Sequence, residues 1–192
     1  MDIDRLNSYI DEQNEWAERT ECFDIAIFRC WIQFEKFLIE KFIEYSIQPI
    51  GSEDIRKLKF DDAEHFKAFL RGDRTYIEYI SKIEKLSKHI YHNNKNPFEI
   101  LISDQTYSTV FEDLRVIRNH IAHESEESQK KYLNRIFSSN SQRMISPNDY
   151  LKSWKDKGRT ESYYSFYIRS IKEMSNLIES PLFFDDSTDI LT

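Results

Sequence analysis

The chain has 192 residues, a formal charge of −7, and only 3 Gly and 4 Pro. Average usage of about 7% Gly and 5% Pro would give roughly 23 of the two together. So few turn-formers exclude a β-sandwich or barrel and fit long helices with few connections, while 14 Phe, 11 Tyr and 3 Trp exclude a disordered chain.

In chain order, residues 3–17 read as a first helix. From Glu21 to about Ile47, apolar residues recur every three or four positions (Phe23, Ile27, Trp31, Phe34, Leu38, Phe42). Further apolar positions (Ile25, Phe28, Ile32, Phe37, Ile39) widen that stripe, so the helix is expected to pack on more than one side. Pro49 and Gly51 end it. Asp61 or Asp62 is placed to cap a short helix running to Leu70 and stopped by Gly72. Asp73 is placed to cap the next, with Ile77, Ile80, Ile83, Leu86 and Ile90 on one face. After the polar break at 92–97, Ser103 or Asp104 opens a helix through Val110, Leu114, Ile117 and Ile121, ending near His123 or Glu124. Glu127 to Phe137 is a further helix and Ser138 to Asn148 a loop. Pro147 suits the first turn of a short helix ending near Trp154. Thr160 to Glu179 is the last long helix, Pro181 ends it, and Asp185 to Thr192 forms a polar tail. The expected fold is one all-α domain over 1–192, with four long helices and several short ones.

No apolar run of about 18 residues is present, so no membrane span is expected. The Met1–Asp4 start is acidic and lacks a signal-peptide pattern, and a cytoplasmic location is the expectation. Cys22 and Cys30, if on one helix, lie about 12 Å apart and read as two reduced thiols. There is no P-loop, no G-x-G-x-x-G and no Cys pair with zinc-finger spacing.

Charge is uneven. Between Ser128 and Arg159, eight basic residues (Lys130, Lys131, Arg135, Arg143, Lys152, Lys155, Lys157, Arg159) face two acidic ones, a local +6 that leaves −13 for the rest. Tyr132, Phe137, Tyr150 and Trp154 are interleaved with these bases. Such a stretch reads either as a solvated face whose aromatics point into the core or as a phosphate-tracking surface with stacking platforms.

One helix carries chemistry. Beside the apolar stripe Phe111, Leu114, Ile117 and Ile121 it bears Arg115, Arg118, Asn119, His120 and His123. At 100° per residue Asn119 and His123 share a face, about 40° apart, whereas Arg118 and His123 diverge by about 140° and about 7.5 Å of rise. A second copy of the helix across a two-fold axis would bring Arg and His from both chains into one cleft. The residue types suit RNA phosphodiester cleavage: an imidazole takes or gives the proton, and a guanidinium fork neutralises the crowded phosphorane-like transition state. Asn119 is suited to orient His123 or the phosphate. The nucleophile, the 2′-OH, is part of the substrate, so no metal or other cofactor is needed and the products are a 2′,3′-cyclic phosphate and a 5′-OH. Other readings compete. His120 and His123 could bind zinc, but their spacing is three rather than four and no third ligand is evident. Arg118 and His123 could be plain surface residues, His being favoured near a helix C-terminus. No nucleophile elbow surrounds any Ser, and His65, His89 and His92 have no recognisable partners.

The run Arg118-Asn119-His120-Ile121-Ala122-His123 resembles the R-N-x-x-x-H form of the R-x(4–6)-H motif of the HEPN superfamily, and Trp31–Leu38 (WIQFEKFL) is similar to a first bundle helix of such domains. The resemblance implies a small helical bundle that dimerises through its motif helices. It implies a metal-independent endoribonuclease of the kind used as a toxin in toxin–antitoxin or phage-defence systems, with a possible antitoxin or regulatory partner. Arg118 and His123 would be catalytic and Asn119 the polar residue after the Arg. Relatives controlled by adenylylation carry a Tyr two residues after the motif His; here that position is Ser125. RNA, not DNA, is the expected substrate. Arg115 and His120 are candidates for flanking phosphate contacts, and Lys130, Lys131, Lys152, Lys155, Lys157 and Arg159 for backbone contacts. The alternative is an inactive helical module binding a partner protein, nucleotide or RNA through the same face.

Overall fold

The structure, a computed structural model, describes residues 1–50, 54–73, 75–92, 94–137 and 145–181, and among them every regular element is an α-helix. Among the described residues the only extended pairings are two isolated bridges, Arg56 with Tyr91 and Trp154 with Ser162. No helix among the described residues is long and apolar enough to cross a membrane. The fold class is therefore all-α, as the scarcity of Gly and Pro requires. Arg143 and the tail from Asp185 to Thr192 lie outside the described residues.

Helix α1 (Ile3–Thr20) starts at Asp2, whose carboxylate accepts from the Arg5 N–H at 2.8 Å. Helix α2 (Phe23–Ile47) is the hub: it packs on α1, and on α3 (Ala63–Arg71), α4 (Tyr79–Ile90), α6 (Gln105–His123), α8 (Pro147–Lys152) and α9 (Tyr163–Glu179). That setting explains its wide apolar stripe, since Ala26, Cys30, Phe34, Phe37, Leu38 and Phe42 are all fully buried. Cys22 caps α2 without a side-chain hydrogen bond. The cap is supplied from across the chain instead: Asn148 Oδ1 accepts from the Phe23 and Asp24 N–H groups at 2.9 and 3.3 Å, and its Nδ2 donates to the Glu21 carbonyl at 3.0 Å. Both cysteines are free thiols, and burial pushes that of Cys30 up to about 12.

Asp62 caps α3 by accepting from the His65 N–H at 2.8 Å, and Gly72 closes it with φ +53°. Asp73 does not cap the next helix: α4 begins only at Tyr79, with Glu78 before it and no side-chain cap. A four-residue turn, α5 (Glu99–Ile102), follows, too short to leave a periodic signal. Asp104 caps α6 by accepting from the Thr106 and Tyr107 N–H groups, both at 2.9 Å. Helix α7 is Glu126–Phe137. The last helix starts at Tyr163, capped by Ser162, three residues later than periodicity alone places it.

The four longest helices are α1, α2, α6 and α9. α2 contacts the other three, and α9 also contacts α1 and α6. Rings tie α2 to α6: Phe111 lies 5.1 Å from Trp31 and 6.4 Å from Phe34 between centroids. These contacts bury the apolar side of α6, with Phe111, Leu114 and Ile117 each at most 2% exposed.

Candidate functional site

The polar side of α6 comes from its C-terminal half. The apolar residues Val110, Phe111, Leu114 and Ile117 face the core, so helical period turns Asn119 and His123 away from it, whereas Arg118, four residues after Leu114, lies on the α2 side and reaches toward Glu35. Glu124 then takes a left-handed conformation (φ 45°), its N–H bonding the His120 carbonyl at 3.0 Å. Ser125 opens α7 in a reciprocal cap. The Ser128 N–H donates to Ser125 Oγ at 3.2 Å and the Ser125 N–H to Ser128 Oγ at 3.1 Å.

Two open clefts flank this helix end. The larger, about 560 Å³, lies between α6, α2 and α4 and is lined by Glu35, Glu84, Lys85, Arg115, Arg118 and Asn119 among others. The smaller, about 220 Å³, lies between α6 and α7 and is lined by Val116, Asn119, His123, Ser125, Ser128 and Lys131 among others. Asn119 is their shared wall. On a single chain, then, Arg118 and His123 line adjacent clefts rather than one point, as their angular separation requires.

Arg118 is positioned by two contacts. Its Nη1 donates to Asn119 Oδ1 at 2.9 Å, and its Nη2 lies 3.7 Å from Glu35 Oε2 on α2. Its buried Nε–H has no hydrogen-bond partner among the described residues. Burial pushes the Glu35 carboxyl above the ordinary range, against the pull of Arg118. Arg115 is held by two carboxylates, Glu84 at 3.0 Å and Glu112 at 3.3 Å, and burial also raises Glu84. Neither acid was signalled by local spacing, because Glu35 and Glu84 come from other helices.

The two histidines differ. His123 is exposed on its cleft. His120 turns toward α7, stacks on Tyr132 (centroids 4.9 Å apart, 20° between planes) and places Nδ1 3.5 Å from Ser128 Oγ. Burial lowers its pKa. Among the described residues no group of three or more His, Cys, Asp or Glu is arranged to hold a metal ion. His65 does have a partner, Asp61, 3.2 Å from its Nδ1.

The remaining bases are dispersed. Lys131 pairs with Glu127 at 2.7 Å and Lys152 with Glu21 at 2.8 Å. Lys155 sits 4.1 Å from the centre of the Phe166 ring. Lys130, Lys157 and Arg159 are exposed and make no ion pair among the described residues. Of the interleaved aromatics, Tyr132 and Tyr150 are buried, Phe137 is half-buried, and Trp154 is 50% exposed.

Compared with known proteins, the chain matches no protein-family model, no curated protein and no solved structure.

Proposed function

We propose that the chain is a metal-independent endoribonuclease of HEPN type, with an HEPN-like helical fold, acting in the cytoplasm as a toxin or phage-defence effector. The observation that carries this reading is the placement of Arg118, Asn119 and His123 on one helix end, lining two open clefts that share Asn119. His123 is exposed and Arg118 and Asn119 are partly exposed on these clefts, and their chemistry matches the demands of 2′-OH attack.

In this reading a homodimer sets two α6 ends face to face, so that the Arg118 of one protomer and the His123 of its partner meet at one phosphate. His123 moves the proton between the 2′-OH, a water and the 5′-oxygen. Arg118 neutralises the non-bridging oxygens. Asn119, its Oδ1 engaged by Arg118, keeps two N–H donors for phosphate or imidazole. RNA is the substrate; an antitoxin or other partner protein holds the site in check.

The test is incubation of purified protein with total RNA in EDTA, beside Arg118→Ala and His123→Ala. Defined fragments with cyclic-phosphate ends, lost in both variants, are expected. Growth arrest on expression, abolished by His123→Ala, is expected in cells. A second reading, an inactive module binding a partner protein or nucleotide, draws on the contact between Arg118 and Glu35, which already offsets the guanidinium charge. Absence of both cleavage and growth arrest selects it.

A further inference from the structure

Apart from Lys131, the basic, aromatic stretch after Ser128 does not line the Arg118–His123 clefts, and in the fold it borders a third cleft. This cleft, about 470 Å³, opens where α6, α7, α8 and α9 meet. That volume is in the range of about 300–1,000 Å³ usual for small-ligand sites. Its walls are aromatic: Tyr150, Tyr163, Phe166 and Tyr167, with Arg135 and Lys155 also lining it. Tyr163 and Phe166 are half-buried, so each offers part of its ring, and Tyr163 leans on Tyr150 at 4.4 Å between centroids.

The polar groups of the cleft are fixed before any ligand enters. The Tyr150 and Tyr167 hydroxyls lie 2.9 Å apart, Tyr167 donates to Asp113 at 3.4 Å, and Arg135 Nε donates to Asp113 at 2.6 Å. Arg135 also donates to the Thr109 carbonyl at 3.1 Å. Lys155 has no carboxylate partner among the described residues; its ammonium rests on Phe166 alone, at 4.1 Å. Its backbone is anchored nonetheless, the N–H donating to the Glu161 carbonyl at 2.9 Å. An exposed ammonium over a ring is held weakly, and a nucleobase stacked on the same ring is held better. The Arg169 guanidinium also lies over this ring, 5.5 Å from its centroid, and a base displacing the Lys155 ammonium would free that ammonium for the neighbouring phosphate.

The cleft is also in line with the proposed catalytic end. Thr109 and His123 are fourteen residues apart on α6, which puts them on one face, about 40° apart and about 21 Å along the axis. On α7, Lys131 lines the His123 cleft and Arg135, one turn further, lines the aromatic cleft. The two clefts thus open on the same α6–α7 seam, with a cation at each end. A strand covering that length falls in the site size of about 4–16 nucleotides typical of single-strand grooves.

We infer that the aromatic cleft seats a base of a single-stranded RNA whose backbone follows the α6–α7 seam to His123, with Phe166 and Tyr163 as stacking platforms and Lys155 as the phosphate contact. The choice of RNA rests on the ribonuclease reading.

The test uses a fluorescein-labelled 2′-O-methyl 12-mer of mixed sequence, which lacks the nucleophile and cannot be cleaved, titrated into the full-length protein by fluorescence anisotropy. Phe166→Leu is expected to weaken binding at least tenfold. Lys155→Ala, an exposed turn substitution that leaves the fold intact, is expected to weaken it about threefold and to lower the salt slope by about one. A 4-thiouridine version of the strand is expected to crosslink within residues 163–166. Unchanged affinity in both variants, or crosslinks confined to other regions, overturns the subsite. So does AMP binding as tightly as the strand with the same dependence on Phe166, which would identify a free nucleotide as the ligand. Cleavage lost in His123→Ala with strand binding untouched by Phe166→Leu overturns this inference and leaves the ribonuclease reading standing. Phe166-dependent strand binding by a protein that cleaves nothing does the reverse.

Discussion

Arg118 donates a hydrogen bond to the side chain of Asn119, its immediate neighbour in the chain, at 2.9 Å. Adjacent helical residues point about 100° apart, so the contact requires the long guanidinium arm to bend back round the helix. Asn119 thereby couples the clefts on either side of it: one face of its amide holds Arg118, and its position borders His123. Asn119→Ala is expected to lower the rate of RNA cleavage about 10²-fold, less than Arg118→Ala, in single-turnover assays.

Arg118→Lys keeps the charge and removes the planar fork. If the fork grips two phosphate oxygens, a lysine cannot replace it. Cleavage is expected to fall by roughly 10²-fold or more, with the thermal midpoint shifted by no more than a few degrees, as read by parallel kinetic and circular-dichroism measurements. Retention of most activity would show that charge alone suffices at this position.

His120 makes the fold sensitive to mild acid. Its folded pKa lies below the ordinary 6.5 because burial disfavours the imidazolium. The unfolded chain then binds the proton more readily. The stability His120 contributes is full above about 6.5 and is lost as pH falls through its lowered folded value. His120→Phe preserves the stacking on Tyr132 and removes the titration. The urea midpoint of the wild type is expected to drop between pH 7.5 and 5.5 by more than that of His120→Phe.

Glu35 has the opposite sign. Burial raises its folded pKa above the ordinary 4.5, so its favourable contribution is present in acid and is lost as pH rises through the raised value. Glu35→Gln abolishes this titration. Relative to wild type, the variant is expected to gain stability between pH 4 and pH 7, measured again as urea midpoints. A difference that stays flat across that window would mean that Arg118 fully compensates the burial.

The polar face of α6 is held in place from behind by Phe111, which is 2% exposed and packs on Trp31 and Phe34 of α2. Phe111→Ala removes a buried ring and leaves a cavity, at about 3–5 kcal/mol. Denaturant unfolding is expected to show that loss, and RNA cleavage to fall with it even at temperatures where the variant stays folded.

The helices were legible where the signal is local. Asp62 and Asp104 are caps among those that sequence alone offers, and the stripes of α2, α6 and α9 follow from period. What was not legible comes from distance. The α2 cap is Asn148, which is 125 residues from Phe23. The start of α4 lies six residues past the aspartate that looked like its cap, and Glu78, the residue before it, makes no side-chain cap hydrogen bond. In the candidate site, Arg118, Asn119 and His123 stood out by residue type, but their carboxylate neighbours did not. Glu35 and Glu84 sit on helices whose periodicity marks them only as polar positions, and their burial follows from packing against α6. The exposed basic residues were equally visible in the sequence, yet Lys131 and Lys152 each turn out to be matched by a nearby acid.

Only Glu124 and Ser125 separate α6 from α7, and Glu124 holds a left-handed conformation that an ordinary helix residue avoids. This short reversal fixes the rotational phase of one helix against the other, like the setting of two gears. One added residue would advance α7 by about 100°, carrying Lys131 and Arg135 off the seam together. Length, more than side-chain identity, is therefore the property of this corner that evolution or an engineer could least afford to change.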